Sequence, residues 1–317
     1  MAAQSDNDVH GEMVTGWRGP TRRAVLDFGR YLTGTGPAVP PSVDDMSRVP
    51  TWNGSTNKLY GTCGPCSYAN LVIMAYQYLT GEVITVTDDQ IFAFYRASGN
   101  PNFNPQTDQG DDGVDNSVML AAAQHTGLEV THADGSKESI KAVAYGTISG
   151  GDMLDQIHEA TALFGGVILG VQLDVAQQNQ TRATPAIWSY VPGSGIWGGH
   201  DVFGGAYTGQ AGSDEQVISW LKKVGINDNF LSPQVQEVFA VIIPVMLDHA
   251  PILQGIDWPT LANDFQQLTG RPFPVPIPTP PSPAPPGPTP VPPAPAIVAD
   301  SALNTAFKTW QQAKGLS

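Results

Sequence analysis

The stretch Gly61-Thr62-Cys63-Gly64-Pro65-Cys66-Ser67-Tyr68-Ala69, continued by Asn70-Leu71-Val72-Ile73-Met74-Ala75-Tyr76-Gln77-Tyr78-Leu79, decides how the rest of the chain is read. From 65 to 79 its apolar residues are too many for one face, and a helix apolar nearly all round is a buried one. Two cysteines stand at the start of that helix, three positions apart, and they are the only two in the chain. Two thiols cannot make a disulfide scaffold, so their spacing points to chemistry. A thiolate at a helix start is favoured by the positive end of the helix. The unpaired backbone N–H groups there can also stabilise an oxyanion.

Other readings of Cys63-Gly-Pro-Cys66 stay open. It is the tetrapeptide of thioredoxin active sites, but the residues before it, 51–62, are polar and glycine-rich where a redox motif follows a buried strand. A metal site needs further ligands, and neither a second cysteine pair nor a His-x₃₋₅-His is present. Two buried structural thiols are the bland reading.

Outward from the motif, the grammar is helices first and strands second. Helices are expected over 65–79, 87–96 (Thr87 as cap, Asp88 and Asp89 in the first turn), 116–125 and 152–164, and an earlier helical stretch around 22–32. Runs rich in Val, Ile and aromatics at 167–173, 200–207, 216–221 and 237–247 read as strands, and 257–268 as a last helix. The class is therefore α+β, with N-terminal helices packed on a C-terminal antiparallel sheet. Residues 272–295 hold 14 of the 28 prolines and are expected to extend as polyproline II. They tether a short helix over 301–314, with Leu303, Phe307 and Trp310 on one side, suited to a protein partner. The division is 1–50 N-terminal extension, 51–270 catalytic domain, 271–296 linker and 297–317 tethered helix.

Composition narrows the function. Fifteen Lys and Arg against 29 Asp and Glu give a net charge of −14, with no basic stripe, so nucleic acid is excluded as a partner. No apolar run approaches a membrane span, and the first residues lack the basic and apolar regions of a signal peptide. The location expected is cytoplasmic or virion-associated.

A cysteine nucleophile needs a distant base. His10, His125, His132, His158 and His249 fall in tails, helices or loops, whereas His200 stands in Trp197-Gly-Gly-His-Asp-Val-Phe at the mouth of an apolar strand. It lies 137 residues after Cys63, within the ~130–150 of papain-type enzymes. Asp111, Asp112 and Asp115 look like part of a calcium loop, but the twelfth-position Glu is missing, and a solvated loop capping the next helix is the better reading. Trp188, Trp197 and Trp220 are candidates for a substrate groove, with core packing the default.

Gly-Thr-Cys63-Gly-Pro-Cys66-Ser, then Gly-Gly-His200 on an apolar strand, then Val217-Ile-Ser219-Trp220, resembles the papain-like cysteine peptidase superfamily. It is most similar to uncharacterised papain-like proteins of actinobacteria and their phages, and the resemblance spans roughly residues 50–270. It implies a thiol hydrolase, a peptidase or amidase, with no metal or organic cofactor and a peptide or amide substrate. The papain signature itself would align Cys66 as nucleophile. The family's oxyanion donor, however, is an amide six residues upstream. That place before Cys66 is Tyr60, and before Cys63 it is Asn57. Bacteriocin-processing peptidases, which the motif also resembles, use the first cysteine. The resemblance thus assigns Cys63 as nucleophile, His200 as base and Asn57 as oxyanion donor, with Cys66 as second choice. Ser219 is the candidate to orient the imidazole, with Asn227 as alternative, because Ile218 stands where the family has Asn. Asp201 replaces the usual apolar residue and, next to His200 on a strand, should face the other way. Trp197 and Trp220 would border the groove. A catalytically inactive structural or attachment protein on this scaffold, and a thiol–disulfide oxidoreductase, are the rival functions.

Overall fold

The computed structural model describes residues 13–20, 24–32, 38–148, 152–210, 212, 214–249 and 253–277. The expected terminal helix over 301–314 and all but the start of the proline-rich stretch lie outside them. The central helix, α1 (Cys63–Thr80), is buried continuously from Cys63 to Tyr76, as its apolar circumference demands, and stops at Gly81 in the left-handed conformation. Two helices cover it: α2 (Asp88–Ala97), opened by a reciprocal Thr87–Gln90 capping box, and α3 (Asn116–His125), capped by Asp115 accepting from the Ser117 and Val118 N–H groups.

Three short early strands, β1 (Leu26–Asp27), β2 (Val43–Asp44) and β5 (Ala144–Thr147), join the main sheet, while β3 (Leu128–Thr131) and β4 (Lys137–Ile140) form a separate hairpin. The rest of the main sheet is β6 (Val167–Asp174), β7 (Ile187–Trp188), β8 (Ile196–Tyr207), β9 (Glu215–Ser219), β10 (Lys222–Ile226) and β11 (Val235–Ile242). Among the described residues it has nine strands in the order β1-β5-β11-β6-β8-β9-β10-β7, with β2 also on β8. Pairings are antiparallel except at the two edges, where β1–β5 and β7–β10 are parallel. Around it lie α4 (Met153–Phe164), α5 (Val175–Arg182), α6 (Asp228–Gln234), α7 (Pro244–Leu247) and α8 (Trp258–Thr269).

Two sequence expectations are corrected. The stretch around 22–32 is no helix over its described part: Leu26–Asp27 pair with β5, and Phe28–Tyr31 form one 3-10 turn whose aromatic rings are buried. The last strand ends at Ile242 rather than 247, because Pro244 cannot donate to a ladder and instead opens α7.

The strand that matters most is β8. Its first four residues are exposed or half-buried, and it passes into the core at His200. Register on β6 places His200 opposite Val171 and Asp201 opposite Gly170, and Gly170 in turn faces Glu237 of β11. Because side chains alternate, Asp201 and Glu237 share one face and His200 takes the other. The β9–β10 hairpin turns through Trp220 and Leu221, both at positive φ (46° and 66°). That turn throws the Trp220 ring back onto His200.

Candidate active site

Cys63 is the first residue of α1 and is 1% exposed. Its neighbour in the motif must be glycine, since a β-carbon on Gly64 would come to 2.8 Å from the Met119 sulfur and 3.0 Å from Asp201 Oδ2. The Cys63 thiol donates to Asp201 Oδ2 at 3.8 Å. Burial, and then the charge of Asp201, push this thiol well above the usual cysteine range. Cys66, one turn along, sits 3.3 Å from Thr56 Oγ1 and 3.8 Å from Thr62 Oγ1, and burial raises it to about 11. Both thiols are free.

His200 is fully buried, and burial lowers it to about 3, so it is a neutral imidazole. Its Nε2 lies 2.8 Å from Ser219 Oγ, and Trp220 stacks on the ring at 4.1 Å and 11°. Trp197 stacks on Trp220 at 5.3 Å, and Trp188 meets both His200 and Trp220 edge-on. Among the described residues the buried Nδ1 has no hydrogen-bond partner. Neither cysteine sulfur is hydrogen-bonded to the imidazole. Asn227, the alternative orienter, instead caps α6 by accepting from the Asn229 N–H.

Sequence reasoning missed the partners of Cys63. Asp201 also accepts from Asn116 Nδ2 at 2.9 Å, and the same amide reaches Glu237 Oε2 at 3.3 Å. Burial, only partly offset by the Asn116 bond and aided by the Glu237 charge, raises Asp201 well above the usual carboxylate range. The signal for this network was an acid in each of two strands rich in apolar residues, Asp201 in β8 and Glu237 in β11.

A second element went unread. Residues 14–18 lie in the groove between the α1 side and β8. The Gly16 and Trp17 N–H groups both donate to the Gly199 carbonyl at 2.9 Å. On the opposite wall Val114 N–H donates to Gly16 O at 2.7 Å, and Arg18 N–H to Val114 O at 2.8 Å. Asn57 is buried, and its amide donates to Val14 O at 3.1 Å and Tyr60 O at 3.2 Å, while Trp220 Nε1–H donates to the same Val14 carbonyl at 3.2 Å. The indole of Trp17 donates to Glu237 Oε2 at 3.2 Å. A cavity of ≈ 240 Å³ remains beside this segment, next to Gly61, Asp111 and Asp112.

The acidic loop works structurally. Asp111 accepts from Gly61 N–H at 2.9 Å and Tyr95 O–H at 2.8 Å, and Asp115 caps α3. Among the described residues, one group has three His, Cys, Asp or Glu ligand atoms within 4.8 Å of one another: His158, Asp214 and Glu215.

The same fold is found in solved structures. A procathepsin B of Trypanosoma congolense has a TM-score of 0.51 at 11% identity, covering 76% of this chain and 89% of its own. A structure from work on the mite allergens Blo t 1 and Der p 1 scores 0.50 at 12%, covering 75% and 82%. Xylellain, a cysteine protease from Xylella fastidiosa, scores 0.48 at 12%, covering 73% and 97%. No family model matches the sequence, and no curated protein does. The chain has the α+β fold of the papain-like cysteine proteases.

Proposed function

We propose that the protein is a papain-like thiol hydrolase acting on amide bonds in extended peptides. The supporting observation is the occupant of the groove. Residues 14–18 run between Gly199 of the His200 strand on one side and Val114 and Asn57 on the other, with main-chain hydrogen bonds to each, and the Val14 carbonyl takes two N–H donors, from Asn57 and Trp220. A groove that holds a main chain this way is built for a peptide.

In the proposed reaction the Cys63 sulfur forms a bond to the substrate carbonyl carbon and its proton passes to His200. His200 then returns that proton to the departing amine as the C–N bond breaks, and water releases the acyl group from sulfur. Ser219 fixes the imidazole, Asn57 and the Cys63 backbone N–H face the developing oxyanion, and Trp197 and Trp220 border the groove. Burial keeps both thiol and imidazole neutral. Turnover therefore needs the site to open, and on this reading displacement of residues 14–18 from the groove lets substrate in.

Reaction with an epoxide thiol inhibitor, read by intact mass and peptide mapping, tests this. One adduct on Cys63 is expected, absent from Cys63→Ala, retained in Cys66→Ala, and formed at least ~100-fold more slowly in His200→Ala. Equal labelling with and without His200 sinks the reading. A specific observation favours a second one, a non-catalytic scaffold: Asp201 beside the sulfur opposes the thiolate that a hydrolase needs. On that reading no adduct forms, and the proline-rich tether is the working part of an attachment protein.

A further inference from the structure

The seat of residues 15–17 is shaped by missing side chains. A β-carbon on Gly16 would collide with the backbone of Gly61, and one on Gly113 with the Gly16 carbonyl. On the sheet side a β-carbon on Gly170 would fall 2.8 Å from the Trp17 indole, and one on Gly199 would strike the Trp17 carbonyl and come to 2.9 Å from its ring. Gly198 likewise gives room to Thr15. The walls thus leave space for a backbone alone at the first position and for a flat ring at the second.

The ring also has a polar address. The indole N–H reaches Glu237 Oε2, Glu237 shares the Asn116 amide with Asp201, and Asp201 holds the Cys63 thiol. Trp17 is buried at the head of this chain of polar groups, and Glu237, Asn116, Asp201 and Cys63 are buried behind its one contact with Glu237. Hydrogen-bond energy in such a buried setting depends on every partner being present, and discrimination between ligands follows from that dependence.

We infer that this groove is a selective seat for a peptide carrying glycine followed by an aromatic residue with an N–H donor. Gly16-Trp17 fills that seat in cis, and an outside chain bearing the same pair must displace residues 14–18 to approach Cys63. The inference rests on the hydrolase reading only in naming the outside chain a substrate. The seat itself is a binding site.

The test uses the full chain and the rate at which iodoacetamide alkylates Cys63, read by peptide mapping, with no hydrolysis involved. Trp17→Ala is expected to raise that rate at least about tenfold. Added Val-Thr-Gly-Trp-Arg peptide should restore slow alkylation, while Val-Thr-Ala-Trp-Arg and Val-Thr-Gly-Ala-Arg should need at least about tenfold higher concentration. Gly16→Ala, which keeps the indole but meets Gly61, should open the site in the same way, and far-ultraviolet circular dichroism checks that each variant is folded. Unchanged alkylation in the two folded variants, or equal protection by the three peptides, overturns the inference. Selective protection by a protein that cuts none of these peptides upholds the seat and removes the hydrolase reading.

Discussion

Among the described residues, Ser219 is the one side chain that occupies a ring nitrogen of His200, at 2.8 Å, where both residues are buried. Ser219→Ala leaves both nitrogens without a partner there, which should cost about 1–3 kcal/mol in urea unfolding. His200 and Asp201 also give opposite dependences on pH. The folded imidazole sits at about 3 against 6.5 free, so its contribution is full above 6.5 and is lost as pH falls below that. Asp201 is raised, so the folded state holds a proton that the unfolded chain releases above 3.8, and its contribution falls as pH rises. Asp201→Asn should therefore raise the melting temperature more at pH 8 than at pH 4. An equal shift at both pH values would disprove the protonated carboxyl.

At the level of elements, what the sequence made legible had strong local causes. The all-round apolar helix after Cys63, the Thr87 cap and the Asp115 cap each dictate a boundary, and α1 to α4 and α8 begin within two residues of expectation. What was missed lacked such a cause. Val175–Arg182 is a polar eight-residue helix held by a capping box between Asp174 and Gln177. The strand Lys222–Ile226 hid behind a hairpin turn made by Trp220 and Leu221, which have left-handed backbones without the Gly or Asn that usually announces one. The asymmetry is physical. Trp220 must stay because its ring covers His200, whereas Leu221 is 40% exposed. Leu221→Gly should thus relieve its left-handed strain, a gain of about 1 kcal/mol after the added flexibility of the unfolded chain is counted, measurable by urea midpoint.

Across the whole molecule, Cys63, His200 and Ser219 could be singled out from sequence because each sits in a local motif, whereas Asn116, Glu237 and residues 14–18 reach the groove only through tertiary folding. The same holds for the far end of β8, where His158 of α4 lies 2.9 Å from Asp214 and 2.9 Å from Glu215 and stacks on Tyr207. Burial lowers the His158 pKa, but the two carboxylates outweigh it and the net direction is upward. A raised histidine contributes fully below its free value near 6.5 and loses that contribution as pH rises through the folded value. In a chain of net charge −14 this cation bridges a helix and a strand end, so His158→Gln should lower the melting temperature at pH 5.5 and do so less at pH 8.5.

The main-chain bonds of residues 16–18 with Gly199 and Val114 belong to both walls of one groove at once. Amide protons of Gly16, Trp17, Arg18 and Val114 should accordingly trade with deuterated solvent in concert, through a shared opening well below the energy of global unfolding. The frequency of that opening would set a ceiling on how often an outside chain could take the place of residues 16–18, whatever its own affinity.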